Sequence, residues 1–346
     1  MARHSKLSGV SGKRAEGPPL WDPVDHLLVL DPGGRGIGAF FIPGAAGAAA
    51  RSLARARRAL ITTGFAVAAD APETDGPPGA AVLGHALTQL GAHVRYVTDP
   101  VTLPVLDAAL GVLGERADVL VYPEGDGVAS VLLRRERPTH LIAIERPARG
   151  RGGDYLNARG DSVAAWNRPI DELFLSGLDG LAAGQGARRA SRVVTVGVGD
   201  GGNEIGMGNV RARLVRLSPL MARIAAVVGT DHLVVAGVSN WGAYGIASAL
   251  GQLAGRALLH TPDVERRLIE ACVAAGAVDG ISRRREATVD GLSLDVHAAF
   301  VRLLQVAARG GPVAASGIMD EALPAGVVRT GRRARGEKFL RRATRP

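Results

Sequence analysis

From about residue 21 onward, short apolar runs alternate with longer stretches whose apolar positions recur at helical spacing. This is the pattern of strands and helices built around a mainly parallel sheet. "RRALITTGFAVA" (57–68) reads as a buried strand, "GPPGAAVLGHALTQLG" (76–91) as a helix with proline at its start and glycine at its end, and "AHVRYVTD" (92–99) as the next strand. One βαβ unit is complete there. A helix near 103–114, the strand "ADVLVYPE", a helix near 127–136 and the strand "THLIAIERP" continue the alternation. An irregular stretch over 146–169 interrupts it and marks a candidate seam. A helix near 170–183, the strand "RVVTVGVG", a helix near 211–225, the strand "HLVVAGV" and helices near 241–255, 262–275 and 292–308 complete the pattern. The expected fold is α/β, a mainly parallel sheet flanked by helices in a three-layer, Rossmann-like arrangement. It forms one domain over 21–331, between a disordered basic tail at 1–20 and a second basic tail at 332–346.

Composition agrees with a globular protein whose core is aliphatic, since 47% of the residues are hydrophobic and only 4% aromatic. The net charge of +9 would suggest nucleic acid if it lay on the body, but the two tails carry all of it and residues 21–331 are formally neutral. Nucleic acid is therefore not called for. The three lysines, Lys6, Lys13 and Lys338, all lie in the tails, which leaves no lysine in the body for a Schiff base or a phosphate loop. The lone Cys272, in an alanine-rich helical pattern, excludes an intramolecular disulfide and a thiolate metal cluster. No apolar run follows the charged N-terminus as in a signal peptide, and none approaches the roughly 18 residues of a membrane span, so no membrane partner and a cytoplasmic location are expected.

Polar clusters recur where the strands end: "ETDG" (73–76), "EGDG" (124–127), "ERP" (145–147), "GDGGNE" (199–204) and "SNW" (239–241). Ligands of open α/β sheets bind at that rim, and a single pocket explains the recurrence. In "VTVGVGDGGNEIGMGN" (194–209), Gly197, Gly199 and Gly202 spell G-x-G-x-x-G between a strand and a helix, the context of a dinucleotide fingerprint. Against that reading, Asp200 and Glu204 would repel a pyrophosphate, and the next strand ends without the acidic residue that holds a ribose. Two carboxylates and the amide of Asn203 instead suit a general acid/base pair or a hard divalent cation held by Asp200, Glu204 and Asn203. Asp75 can complete either arrangement or cap the helix that follows it. Arg146 and Arg159 flank the long stretch and can grip a carboxylate, with Tyr155, Asn157 and Asp161 beside them. Ser239 and Asn240, at a strand end, can donate hydrogen bonds or cap a helix. The histidines form no constellation, and no G-x-S-x-G elbow is present.

Taken in order, "APETDGPPGAAVLGHAL", "IERPARGRGGDYLNARG", "VGDGGNEIGMGNV", "HLVVAGVSNWGAYGI" and "VDGISRRREATVDGLSLDVH" resemble the D-glutamate cyclase family, in its glutamate cyclase-like C-terminal domain, over roughly residues 25–310. One departure is Ala158, where the family's "YxNMRG" has methionine. The resemblance implies a hydro-lyase, a cytoplasmic enzyme of D-amino acid metabolism that interconverts D-glutamate and 5-oxo-D-proline plus water. It would use Asp200, Glu204 and Asp75 for proton transfer and Arg146, Arg159, Asn203, Ser239, Asn240, Tyr155 and Asn157 for substrate. The partner is then a small acidic amino acid. No cofactor is assigned, a divalent cation and a homo-oligomer are both left open, and a nucleotide-binding protein or a non-catalytic module for acidic metabolites are the alternatives.

Overall fold

Among the described residues, ten strands form in chain order. β1 (Arg58–Thr63) is followed by a small hairpin, β2 (Ala66–Ala68) and β3 (Ala71–Pro72). Then come β4 (His93–Thr98), β5 (Val119–Val121), β6 (His140–Ile144), β7 (Val194–Gly199) and β8 (His232–Val235), and a last hairpin pairs β9 (Thr288–Val289) with β10 (Leu292–Ser293). The computed structural model describes residues 22–309, apart from 117 and 179–191. β5-β4-β1-β6-β7-β8 make one sheet in that spatial order, and every neighbouring pair is parallel. The chain winds outward from β1 in one direction, then crosses back to β6 and winds the other way. The order therefore reverses between β1 and β6, the place where doubly wound sheets open a crevice.

β1 and β6 are buried along almost their whole length, as expected of strands covered on both faces. The helices Ala45–Leu53, Pro77–Gln89 and Ser239–Ala254 pack together over the sheet, with Pro262–Ala274 and Leu294–Arg309 outside them. Val128–Glu136 packs on Glu172–Leu178, which lies against β6 and β7. The α/β three-layer reading of the sequence is thus the fold that forms, and Cys272 is buried within the helix Pro262–Ala274.

Several boundaries differ from the periodicity. The apolar run 57–68 is two elements, because Gly64 takes φ +105° and turns the chain out of the sheet into the β2–β3 hairpin. The helix expected near 211–225 is broken into Arg211–Leu214 and Pro219–Ile224, and Ser218 caps the second piece by accepting from the Met221 N–H. The last helix begins at Leu294, since Leu292–Ser293 belong to a hairpin. Two helices before residue 57, Pro23–Leu28 and Ala45–Leu53, carry no strong periodic signal and were not anticipated. Both tails, and the far end of the helix expected near 170–183, lie outside the described residues.

Candidate active site

Two helices begin at the crevice and cap each other. Asp75, 2% exposed, accepts the N–H groups of Gly76 (3.0 Å) and Asn240 (2.8 Å) on Oδ1 and that of Ser239 (2.9 Å) on Oδ2. It therefore sits at the N-terminus of Ser239–Ala254 rather than of the helix that follows it in sequence. Asn240 returns the favour. Its Oδ1 accepts from Gly76 (3.0 Å) and Gly79 (2.7 Å) at the start of Pro77–Gln89, and its Nδ2 donates to the Thr74 carbonyl. Each helix end, rich in unsatisfied N–H groups, is closed by the other's side chain.

The same helix end collects more carboxylates. Asp200, at the end of β7, accepts from the Ser239 N–H (3.1 Å), and Glu145, just past β6, accepts from Ser239 Oγ (2.6 Å). Arg35 reaches in from a loop whose turn is held by Asp31, which accepts the N–H groups of Arg35, Gly36 and Ile37. Its guanidinium lies 2.6 Å from Asp200 and 2.9 Å from Asp290. Asp290 is delivered by the tip of the β9–β10 hairpin, an Asp-Gly turn in which φ is +55° at Asp290 and +76° at Gly291. Glu73, just after β3, is buried alongside, and its Oε1 and Asp290 Oδ2 accept no hydrogen bond. Gly280, in the turn after Val278, lies close over Glu73: a Cβ there would collide with Glu73 Oε2 and force that carboxyl to shift.

Burial is the largest influence on each of these carboxyls. It pushes Glu73 and Asp75 well above the usual range, with the charges of Asp290 and Asp200 adding to the effect. Glu145 rises likewise through burial and then through Asp200 and Glu204. Asp290 is pushed up to about 7 by burial and then by Asp200, although Arg35 opposes the rise. Asp200 is raised less, because Arg35 offsets its burial. Arg35 itself is held charged above its ordinary value by Asp200 and Asp290 against its own desolvation.

Above this floor lies a cavity of about 200 Å³, lined by Arg35 and Asp290, by the buried Glu73, Glu145, Asp200, Glu204, Asn157 and Asn203, and by the exposed Arg159, Ile281 and Arg283 at its mouth. Cations at the mouth and carboxylates at the base give the cavity a polarity along its depth.

The structure redistributes the residues singled out from sequence. Asp200, Glu204, Arg159, Asn157 and Asn203 do line the cavity. Asn157 folds its own loop, its Oδ1 accepting from Arg159 and Asp161, while Asn203 Nδ2 donates to the Leu156 carbonyl. Glu204 is spent on the glycine loop itself: it accepts from the N–H groups of Asp200 (3.3 Å), Gly201 (2.6 Å) and Gly202 (2.7 Å). The amides that would cradle a phosphate are thereby taken by an internal carboxylate, which removes the donors a dinucleotide needs. Arg146 is another departure, being fully buried, paired with Asp99 and donating to the carbonyls of Gly64 (2.9 Å) and Arg168 (2.6 Å), with no part in the cavity wall. Tyr155 donates to Asp171 (2.6 Å) in a network with Arg149, and Ser239 and Asn240 serve Glu145 and the helix ends. Three acids, Asp75, Glu145 and Asp200, place one oxygen each within 4.8 Å of one another, a different trio from Asp200, Glu204 and Asn203. Glu124 and Asp126 stay outside the cavity, Glu124 pairing with Arg168 at 2.8 Å.

Sequence reasoning missed Arg35, Glu145, Arg283 and Asp290 as site residues. Glu145 stood in the "ERP" cluster, but attention went to its neighbour. The Asp-Gly dipeptide of "TVDGLS" is a strong hairpin signal that marks Asp290 as a turn tip.

A doubly wound α/β chain with an acidic pocket at its switch point is the class that fold and site define. The family model described as "D-glutamate cyclase-like, C-terminal" matches residues 24–305, and the chain belongs to that family. It is 36% identical over 243 residues to the human protein named "D-glutamate cyclase, mitochondrial", a match covering 66% of this chain and 38% of that one. The chain thus spans well under half of that relative's length. Among solved structures, an exopolyphosphatase-related protein from Bacteroides fragilis aligns with TM-score 0.37 and 9% identity, over 76% of this chain and 56% of its own. The exonuclease RecJ bound to manganese aligns with TM-score 0.35 and 12% identity, over 76% of this chain and 47% of its own. Both scores are too low to speak for a common fold or activity. No helix among the described residues is long and apolar enough to cross a membrane.

Proposed function

We propose that this chain is a hydro-lyase that interconverts D-glutamate with 5-oxo-D-proline and water. The observation that carries the reading is the pairing of Arg159 and Arg283 at the mouth of the cavity with unpartnered carboxylate oxygens of Glu73 and Asp290 at its base. D-Glutamate offers two carboxylates and one ammonium. Guanidinium groups suit the former, because each can present two parallel donors to a carboxylate. A carboxylate floor suits the ammonium. Family membership supports the same substrate class.

In the forward direction the ammonium gives a proton to a floor carboxylate, for which Glu73 and Asp290 have free oxygens. The neutral nitrogen then bonds to the γ-carboxyl carbon, one carbon–oxygen bond of that carboxyl breaks, and the oxygen departs as water. The two protons lost by nitrogen end on that oxygen, so the floor is restored. Amine and carboxyl are already in one molecule, so the protein's part is to fold the chain, move protons and steady the charge on the tetrahedral centre. Asp200 stays anionic beside Arg35 in this scheme and helps hold the ammonium.

The test is to incubate the purified protein separately with D-glutamate, L-glutamate and 5-oxo-D-proline and follow interconversion by chiral chromatography. Interconversion confined to the D compounds is expected. D-Glutamate that raises the melting temperature without forming product would replace this reading by a non-catalytic binding module, and no effect of either kind would refute both. Arg159→Ala and Arg283→Ala should each raise KM about tenfold, in line with loss of a charged hydrogen bond worth roughly 1.5–3 kcal/mol. If both leave KM unchanged, the carboxylates bind elsewhere.

A further inference from the structure

We propose that Asp75, Glu145 and Asp200 form a binding site for one hard divalent cation of the Mg²⁺ or Mn²⁺ kind. The three carboxylates come from separate parts of the fold: the turn after β3, the end of β6 and the end of β7. All are buried, and one oxygen from each lies within 4.8 Å of the others. Three oxygens sharing one such ion stand about 3–4.5 Å apart for metal–oxygen distances of 2.0–2.6 Å, so the trio would draw together modestly to close on one. The donors are all oxygen, with no histidine or cysteine among them, which selects hard cations over zinc or copper.

A second observation points the same way. Glu73 is 7% exposed and the Asp290 side chain 9% exposed, each has an oxygen that accepts no hydrogen bond, and both line the cavity with Glu145 and Asp200. Glu73 lies against Glu145, and Asp290 against Asp200. Glu73, Glu145, Asp200 and Asp290 thus line one cavity, with Asp75 buried against Glu145 and Asp200, and Arg35 is the only cationic side chain paired with these acids among the described residues. Buried charges elsewhere in proteins are paired, neutralised or bound to metal. The trio's other contacts also suit ligands: Asp75 Oδ1 is fixed by two N–H groups and Glu145 Oε2 by Ser239 Oγ, which aims the remaining lone pairs without consuming them. The competing arrangement is a cluster neutralised by protons alone.

Manganese binding decides between them and reads the metal directly, whether or not D-glutamate is the substrate. Chelator-stripped full-length protein would be titrated with MnCl₂ at pH 7.5 and free Mn²⁺ followed by electron paramagnetic resonance. One saturable Mn²⁺ per chain is expected, displaced by Mg²⁺ and accompanied by a rise in melting temperature. Asp75→Asn and Asp200→Asn should each weaken that binding by about 100-fold or more, with circular dichroism unchanged, whereas Asn203→Ala should leave it intact. Should either aspartate variant fail to fold, Glu145→Gln provides the same comparison. Absence of saturable binding in the wild type, or equal binding in the folded variants, overturns the proposal in favour of protons only.

Discussion

Glu145 and Arg146 are neighbours at the end of β6, yet they belong to two buried charge groups of opposite character. Arg146 faces Asp99 and two carbonyls, in a one-to-one pairing sealed from water. Glu145 faces Glu73, Asp75, Asp200 and Glu204, an excess of negative charge that Arg35 offsets only in part, open to a cavity. The first arrangement is complete within the chain and so reads as scaffold. The second is complete only when something positive arrives, and such incompleteness marks a site built for a ligand. A buried charge therefore says little about function until its partners are counted.

The contrast can be broken hardest at the scaffold pair. Arg146→Ala leaves Asp99 buried without its counter-charge and should cost about 3–5 kcal/mol, read by urea denaturation or by failure to accumulate soluble protein. A variant within about 1 kcal/mol of the wild type would show that the pair is no more structural than the floor. At the floor the sign should reverse. Glu73→Gln replaces a crowded carboxyl by a neutral isostere and should stabilise the metal-free protein at pH 8 by about 1 kcal/mol, seen as a rise of roughly 2–4 °C, while abolishing turnover. A fall in stability would mean that the floor is already balanced.

The smallest effect sharpens the comparison through pH. His140, buried against Ser52 Oγ at 3.3 Å, is lowered to about 4 by desolvation. The folded state thus binds fewer protons there than the unfolded chain, and His140's contribution is present above its ordinary value near 6.5 and lost as pH falls toward about 4. Asp290 behaves oppositely. With its folded value raised to about 7, its contribution is present below its ordinary value near 3.8 and lost as pH rises through about 7. Denaturation of the metal-free protein at a series of pH values should therefore show stability declining on both sides, and Asp290→Asn should flatten only the alkaline side. Flattening on the acid side instead would reverse the assignment.

The strand ends show how much of this could be read in advance. Four of the five polar clusters converge at the crevice, because β1, β6, β7 and β8 and their following turns meet where the sheet order reverses. "EGDG" does not join them: Glu124 pairs instead with Arg168 outside the cavity. The glycine loop was correctly located, but Glu204 differs from Asp200 in a way no spacing reveals: it turns back onto its own backbone. Arg146 misled for a related reason. Glu145 and Arg146 lie just past β6, and Glu145 takes φ +42°, a turn of the backbone that sends the two side chains to different surroundings and that no strand alternation foretells.

By itself, the sequence determined the α/β class, the alternation that builds a parallel sheet, the rim on which the chemistry gathers and the family to which the motifs belong. These follow from local periodicity and from short motifs whose residues act together. Tertiary structure decided which charges are paired and which are left over. Arg35 enters from a loop before the first strand of the sheet and Asp290 from a hairpin after the last, far apart in the chain and 2.9 Å apart in space. Electrostatic balance is a sum over neighbours in space, and the order of residues along the chain does not contain that sum.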